Sequence, residues 1–553
     1  MSLFTFIGNR FLSCSFAALF TAALAVPTQA APQDTDPPGF VTNPVILRNP
    51  NLEVPLSAMI TLETDEPTRV SLEFFDGVAW TGPFPADPEL ALVHDTIPVL
   101  GIHAGKTVRV YVTVTDAAGN STQGPTALLY SAAQLPFAFP PIEVTVSQPG
   151  QMEPGVTLII PRESRANFSW LVMLDEDGEV VWFYASTPER VLGDVRRMSN
   201  GHLLLILNRD TIVEMDMLGN VVQEWQAVGV HTSIPPGVTP VQTDSFHHEV
   251  IELPAGYEAD FAVLSSEVRD YPNYPADEVD QSLTNPSTPV VGDVIVEFKR
   301  DGTIVNEWKL LDILDPYRLS YDSLGSFWNQ FYGLTDSADW SHANAVILDP
   351  SDDAYIVSVR HQEAVVKISR SLGSLMWILG DNAGWNPPWS GSLLSPDLSQ
   401  PEFNWPYHQH APQLTVDGTI MMFDNGNGRA VPPAPPLPSD QRRSRAVEFF
   451  VDPVTRIIEQ RWSYDRDIFG DPIWYSSFLG DADRLTNTVL ITDGGKRVPG
   501  AVNLGFSRVV EVTHASPPEK VFEILVRDPN PLMPGAVSWT MYRSERLTSG
   551  VYP

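Results

Sequence analysis

Three stretches of this chain place a histidine a short way ahead of a turn flanked by apolar runs. His248 lies seven residues before Ala255, His342 nine before Ser351, and His410 seven before Asp417. Each stretch reads as a hairpin with the imidazole near the start of its first strand. In the middle one, apolar runs at 345–348 and 354–359 flank the turn 350–353, and Arg360 returns to the rim that holds His342. The other returning strands bring Asn425 and Thr492 to the same level. Asn344, two residues beyond His342, shares its face of the strand. Neighbouring copies offer Asp194 and Asp483 near that level.

Such a set suits nucleophilic or metal chemistry. The one cysteine is Cys14 and no Gly-x-Ser-x-Gly elbow occurs, so the available nucleophiles are imidazole, hydroxyl and carboxylate. A neutral imidazole attacks sulfur or phosphorus directly. Arg360 and the other imidazoles would then offset charge on the oxygens of the transferred group. Three histidines with an open position also suit zinc. Against zinc stand the lack of an HExxH motif and the nearby arginine, which a metal ion would repel.

The elements that must position these residues are repeated. Beyond Glu143 a turn followed by a tryptophan recurs: Asp177-Gly178 with Trp182, Gly219-Asn220 with Trp225, and Asp301-Gly302 with Trp308. Leu372-Gly373 with Trp377 and Asp452-Pro453 with Trp462 continue it, and a sixth copy, Ser516-Pro517, ends in Phe522. An apolar hairpin precedes each unit. Six copies at irregular intervals predict a six-bladed β-propeller over 142–553. In that fold equivalent positions converge on the axis, so the three imidazoles face one cavity. The sixth hairpin needs the two ends of the domain to join, with 156–160 or 537–546 as the closing strand. Insertions at 271–292 and 311–338 are aromatic and acidic, and are candidate lids or site walls. Residues 31–141 alternate with period two between frequent turns, as in the run 108–114, and predict a small β-sandwich of fibronectin or immunoglobulin type. The expected fold class is all-β.

Composition bounds the rest. A chain of 553 residues exceeds one typical domain, and its 50 prolines and 36 glycines suit a turn-rich protein. The net charge of −34 argues against a nucleic acid or an anionic membrane surface as partner. Arg10, the apolar stretch 16–26 and Thr28-Gln29-Ala30 read as a signal peptide over 1–30, so a periplasmic or secreted product is expected. Cys14 lies within it, which leaves the mature chain without thiol chemistry. No later apolar run reaches the length of a membrane span.

Two segments carry a resemblance. WSHANAVILDPSDDAYIVSVRHQEAVVKI, followed by MWILG, and HQHAPQLTVDGTIMMFDNGNGR are similar to the bacterial arylsulfotransferases, as is FHHEVIELP at Phe246. The resemblance covers the chain from about residue 150 onward and extends to the preceding sandwich. It implies transfer of a sulfuryl group from a phenolic sulfate donor to a phenol acceptor by a ping-pong scheme through a sulfohistidine. It implies neither the nucleotide donor PAPS nor any other cofactor. By position His410 matches the nucleophile, while His342, Asn344 and Arg360 match the residues that hold the sulfuryl group. His247 or His248 matches a further site histidine, the hairpin offset favouring His248, and Thr492 is a weaker match. Trp340, Trp385, Trp389, Trp405 and Tyr407 lie near in sequence and are candidate aromatic walls. His202, His231, His361, His408 and His514 read as bystanders. The family includes homodimers, which leaves the oligomeric state open. Some members carry a disulfide, which this mature chain lacks. Hydrolysis by a metal-free aryl sulfatase and a non-catalytic binding propeller are the competing readings.

Overall fold

Strands dominate because the sequence alternates apolar and polar residues between turns. The computed structural model describes residues 34–552 apart from 166–167, 188–189, 232, 398, 401–402, 466–474 and 498–503. The expected signal segment lies outside the described residues. No helix in the described part is long and apolar enough to cross a membrane.

The first unit is one six-stranded sheet whose long strands Ala58–Phe75 and Trp80–Val99 pair along most of their length. Its strand Thr107–Thr115 buries alternate residues, Val108, Val110, Val112 and Val114, as the period-two pattern requires. This unit is tied to the rest by buried polar contacts. Asn49 Nδ2 donates to Leu218 O at 2.8 Å, and the Tyr552 hydroxyl accepts from Leu100 N at 2.8 Å.

Six further sheets of four or five strands follow among the described residues. One strand of each touches the corresponding strands of two other sheets: Leu192–Arg197, His247–Glu252, Ala343–Asp349, His410–Leu414, Asp481–Arg484 and Trp539–Leu547. These six inner strands close a ring. The ends of the chain complete it twice. Trp539–Leu547 pairs with Val156–Glu163, and Ile142–Ser147 pairs with Lys520–Val526. The two candidate closing segments therefore belong to the same sheet.

The recurring tryptophans explain how neighbouring sheets hold together. Trp182 Nε1 donates to Met217 O at 2.9 Å, Trp225 Nε1 to Arg300 O at 2.9 Å, Trp308 Nε1 to Arg370 O at 3.1 Å and Trp462 Nε1 to Ala515 O at 3.1 Å. Each indole buries its body and uses its single donor on a carbonyl of the next sheet. Phe522, in the sixth copy, keeps the buried ring but has no donor.

The insertion at 271–292 is not a loop. Strands Phe261–Pro275 and Thr284–Phe298 continue pairing through it, from Phe261 with Phe298 out to Pro275 with Thr284. The insertion at 311–338 holds two single-turn helices, the second Asn329–Tyr332, and carries Phe327 and Trp328 to the ring.

Candidate functional site

The three histidines enter the ring where its inner strands begin. Ala343–Asp349 and Ala354–Val359 pair from Ala343 with Val359 to Asp349 with Ala354, so His342 and Arg360 flank the open end of that hairpin. Each of the three strands slips register near its start: after His247, after Ala343 and after His410. The backbone there is left-handed, with φ of 59° at His248, 43° at His342 and 50° at Ala411. In the first two strands the left-handed residue bears the imidazole; in the third it follows it. A non-glycine residue in that conformation costs on the order of 1 kcal/mol or more. At His342 the cost is offset by Asp293, whose Oδ2 accepts from Ser341 Oγ at 2.6 Å and from Ala343 N.

Hydrogen bonds fix which nitrogen of each ring carries the proton. His410 Nδ1 lies 2.6 Å from Asn425 Oδ1 and 3.1 Å from His408 O. Asn425 Nδ2 donates to Ser476 O at 2.7 Å and Leu479 O at 2.8 Å, so its oxygen faces the ring. Both neighbours of Nδ1 are acceptors, which places the proton on Nδ1 and leaves a lone pair on Nε2. His342 Nδ1 lies 2.6 Å from Asp339 Oδ2, and its Nε2 is likewise an acceptor. His247 Nε2 donates to Ser265 O at 3.0 Å, so its Nδ1 accepts from His248 Nδ1 at 2.7 Å. The pair that sequence left unresolved thus has an order: His247 is fully buried behind, and His248 faces His342 with ring centroids 5.1 Å apart.

Electrostatics keep His410, His342 and His248 neutral. Burial pushes His410 well below the ordinary histidine range, and the Arg360 guanidinium adds to it. Burial and then Arg360 do the same to His342, and burial does so to His248. Burial raises the Asp339 carboxyl to about 6.

Two histidines read as bystanders stand in this cluster. His361 stacks on His342 at 4.5 Å, donates from Nδ1 to Asp339 O at 2.6 Å, and accepts from Arg360 Nη1 at Nε2. It therefore aims Arg360. His408 lies between Glu363 Oε1 at 2.7 Å and Asp322 Oδ2 at 3.1 Å. Burial alone would depress His408, but those carboxylates outweigh it and hold it raised. The other bystanders pair with acids: His202 with Glu214, His231 with Asp210 and His514 with Glu448.

Among the described residues, the groups with ligand atoms within 4.8 Å of one another near the ring are Asp339 with His342 and His361, and Asp322 with His361 and His408. Both use His361, whose two nitrogens are already bonded to Asp339 O and Arg360. That donor set does not fit a metal ion as it stands, and His248, His342 and His410 do not form such a group.

Asn344 donates from Nδ2 to Gln409 O at 2.8 Å, beside His410, while its carbonyl accepts from the Tyr542 hydroxyl at 3.1 Å. Its own Oδ1 is buried and has no hydrogen-bond partner among the described residues. Thr492 is buried one strand back from the ring with its hydroxyl 2.6 Å from Ser544 Oγ, so the structure does not bring it among the imidazoles. A cavity of about 360 Å³ reaches His248 between Ile160, Ile206, Leu479, Phe327 and Tyr542. Phe327 packs on His342 at 4.6 Å. The tryptophans near the site in sequence serve structure: Trp340 Nε1 bonds Arg318 O, Trp389 Nε1 bonds Ile313 O, and Trp385 covers the Arg318 guanidinium. Asp339, three residues before His342, and His361, next to Arg360, were within reach of sequence reasoning by proximity. Tyr542 was not, since it arrives on the strand that closes the ring.

The model for the arylsulfotransferase (ASST) family matches residues 142–531, and that for the arylsulfotransferase Ig-like domain matches 45–131. The arylsulfate sulfotransferase AssT of Escherichia coli O6:H1 is 28% identical over 336 residues, covering 52% of this chain and 51% of that protein. The AssT of Lelliottia amnigena is 31% identical over 216 residues, covering 32% and 35%. The chain thus spans about half the length of the first of these relatives, and less of the second. Among solved structures, the virginiamycin B lyase of Staphylococcus aureus aligns over 70% of this chain and 100% of its own at 10% identity and a TM-score of 0.28. That likeness is too slight to carry an argument. With the family match extending over most of its length, the chain belongs to the arylsulfotransferase family.

Proposed function

We propose that this protein is an arylsulfate sulfotransferase in which six sheets form the blades of a propeller and His410 carries the sulfuryl group between donor and acceptor. The observation that carries the reading is the free Nε2 of a neutral imidazole whose Nδ1–H is fixed by Asn425. In the first half-reaction His410 Nε2 attacks the sulfur of an aryl sulfate. The N–S bond forms as the S–O(aryl) bond breaks, and the electron pair leaves on the phenolate oxygen. Arg360, aimed by His361, balances charge on the sulfuryl oxygens. The positive charge of the sulfated imidazole is shared through Nδ1–H with Asn425.

In the second half-reaction a phenol oxygen attacks the sulfur, the new S–O bond forming as the N–S bond breaks and its electron pair returns to His410 Nε2. The phenol proton passes to His342 Nε2, and Asp339 stabilises the imidazolium that forms. A basic leaving phenolate takes that proton back in the next cycle. His410 has an amide behind it and stays neutral; His342 has a carboxylate behind it and suits proton transfer. That difference supports the division of roles. The scheme uses no nucleotide donor. The apolar N-terminal stretch supports an exported enzyme.

The test is transfer by chelator-treated protein from 4-nitrophenyl sulfate to phenol. Nitrophenolate release that rises with phenol and yields phenyl sulfate is expected. Release of inorganic sulfate alone would replace transfer with hydrolysis, and recovery only on adding zinc would replace the imidazole with a metal.

A further inference from the structure

Among the described residues, the cavity beside His247 and His248 is lined by no aspartate or glutamate, in a chain where acids outnumber Lys and Arg 68 to 34. It is lined by two arginines, Arg162 and Arg209. Arg209 is half-buried and holds a left-handed backbone, φ 71°, just past the strand Leu203–Leu207. Its guanidinium sits 4.0 Å over the Phe327 ring and 5.8 Å from Trp328. Among the described residues it forms no ion pair and donates no hydrogen bond. Half-buried arginines normally meet an acid or a carbonyl. Here acids are abundant, yet among the described residues none pairs with it. Burial first, and then the repulsion of Arg162, holds the guanidinium below its ordinary range against the pull of Asp339, and an anion beside it would relieve that.

The geometry points to Arg209 as a recognition residue for substrates that carry a second anionic group, a carboxylate or another sulfate, on the aromatic ring. Phe327 fixes the spacing, with His342 packed on its ring at 4.6 Å and Arg209 over that ring at 4.0 Å. A phenol lying along Phe327 with its reacting oxygen at His342 directs the far side of its ring toward the guanidinium. A charge-assisted hydrogen bond then selects anionic phenols over neutral ones. This assignment rests on the sulfotransfer reading for the identity of the substrate, but not for the anion site itself.

The experiment compares 4-hydroxyphenylacetate with 4-hydroxyphenylacetamide, which have similar phenol acidity and differ in charge. With 4-nitrophenyl sulfate as donor, the wild type should favour the carboxylate by about tenfold in kcat/KM at low salt. Arg209→Gln should abolish the preference while leaving the amide within about twofold, and Arg209→Lys should keep part of it. Equal losses on both acceptors, or no wild-type preference, would overturn the assignment. Calorimetric binding of the two phenols without donor separates the readings. If no variant transfers sulfate yet the carboxylate binds in an Arg209-dependent way, the anion site stands and the sulfotransfer reading falls. Binding that ignores Arg209 sinks the site.

Discussion

Asp339→Asn should separate the two half-reactions. The side chain is buried, and its Oδ2 accepts the Nδ1 proton of His342 at 2.6 Å. Asparagine has the same shape and still offers an oxygen, so the tautomer of His342 is retained and only the charge is lost. A hydrogen bond to a charged group contributes about 1.5–3 kcal/mol and one between neutral groups about 0.5–1.5 kcal/mol. The difference of roughly 1–1.5 kcal/mol acts only when His342 becomes an imidazolium, that is, when it takes the proton of the incoming phenol. That corresponds to a loss of about five- to tenfold in the rate of that step. With 4-nitrophenyl sulfate the departing nitrophenolate needs no proton, so the first half-reaction is unaffected. Stopped-flow measurement should therefore show an unchanged nitrophenolate burst followed by slower steady turnover with phenol. The pH profile supplies a second sign. The Asp339 carboxyl is raised to about 6, and the account needs it ionised. Wild-type turnover should fall as pH drops through about 6, and the variant, with nothing to titrate there, should lose that limb. A burst slowed as much as turnover, or a profile with the limb intact, would refute the assignment of His342 and Asp339.

Arg360→Lys keeps the charge but not the planar fork, and a lysine cannot serve two sulfuryl oxygens while bonding His361. Its kcat/KM for 4-nitrophenyl sulfate should drop by about tenfold or more; an unchanged value would mean that charge alone suffices. Trp308→Phe removes the donor to Arg370 O while keeping a buried ring. Urea unfolding should show a loss of about 1 kcal/mol with activity nearly unchanged. A variant as stable as wild type would show that the indole N–H contributes nothing between sheets.

Much of the architecture was legible because it is periodic. The hairpin at 343–359 could be read from its two apolar runs and its turn, and the observed register agrees with that reading. The tryptophans were visible as a repeat, though not their hydrogen bonds to the next sheet. Matched offsets brought His248, His342 and His410 together, yet they hid a difference. The left-handed residue is the histidine itself in two strands and Ala411 in the third, and no residue type announces that bulge. The same bulge decides that His247 lies behind His248. Hydrogen-bond partners fared worse, since Asp339 and His361 look like ordinary polar neighbours until the backbone folds them onto His342 and Arg360. Tyr542 and Phe327 reach the cavity on the closing strand and the 311–338 insertion, segments that the sequence marked out without singling out these two side chains.

The central claim is that His410 accepts the sulfuryl group, and intact mass measures it directly. Protein treated with 4-nitrophenyl sulfate without acceptor should gain the mass of one sulfuryl group, localised to His410 by peptide mapping and discharged on adding phenol. His410→Ala should gain nothing and release no nitrophenolate. An adduct on His342 or His248, or turnover in His410→Ala without any adduct, would contradict the account.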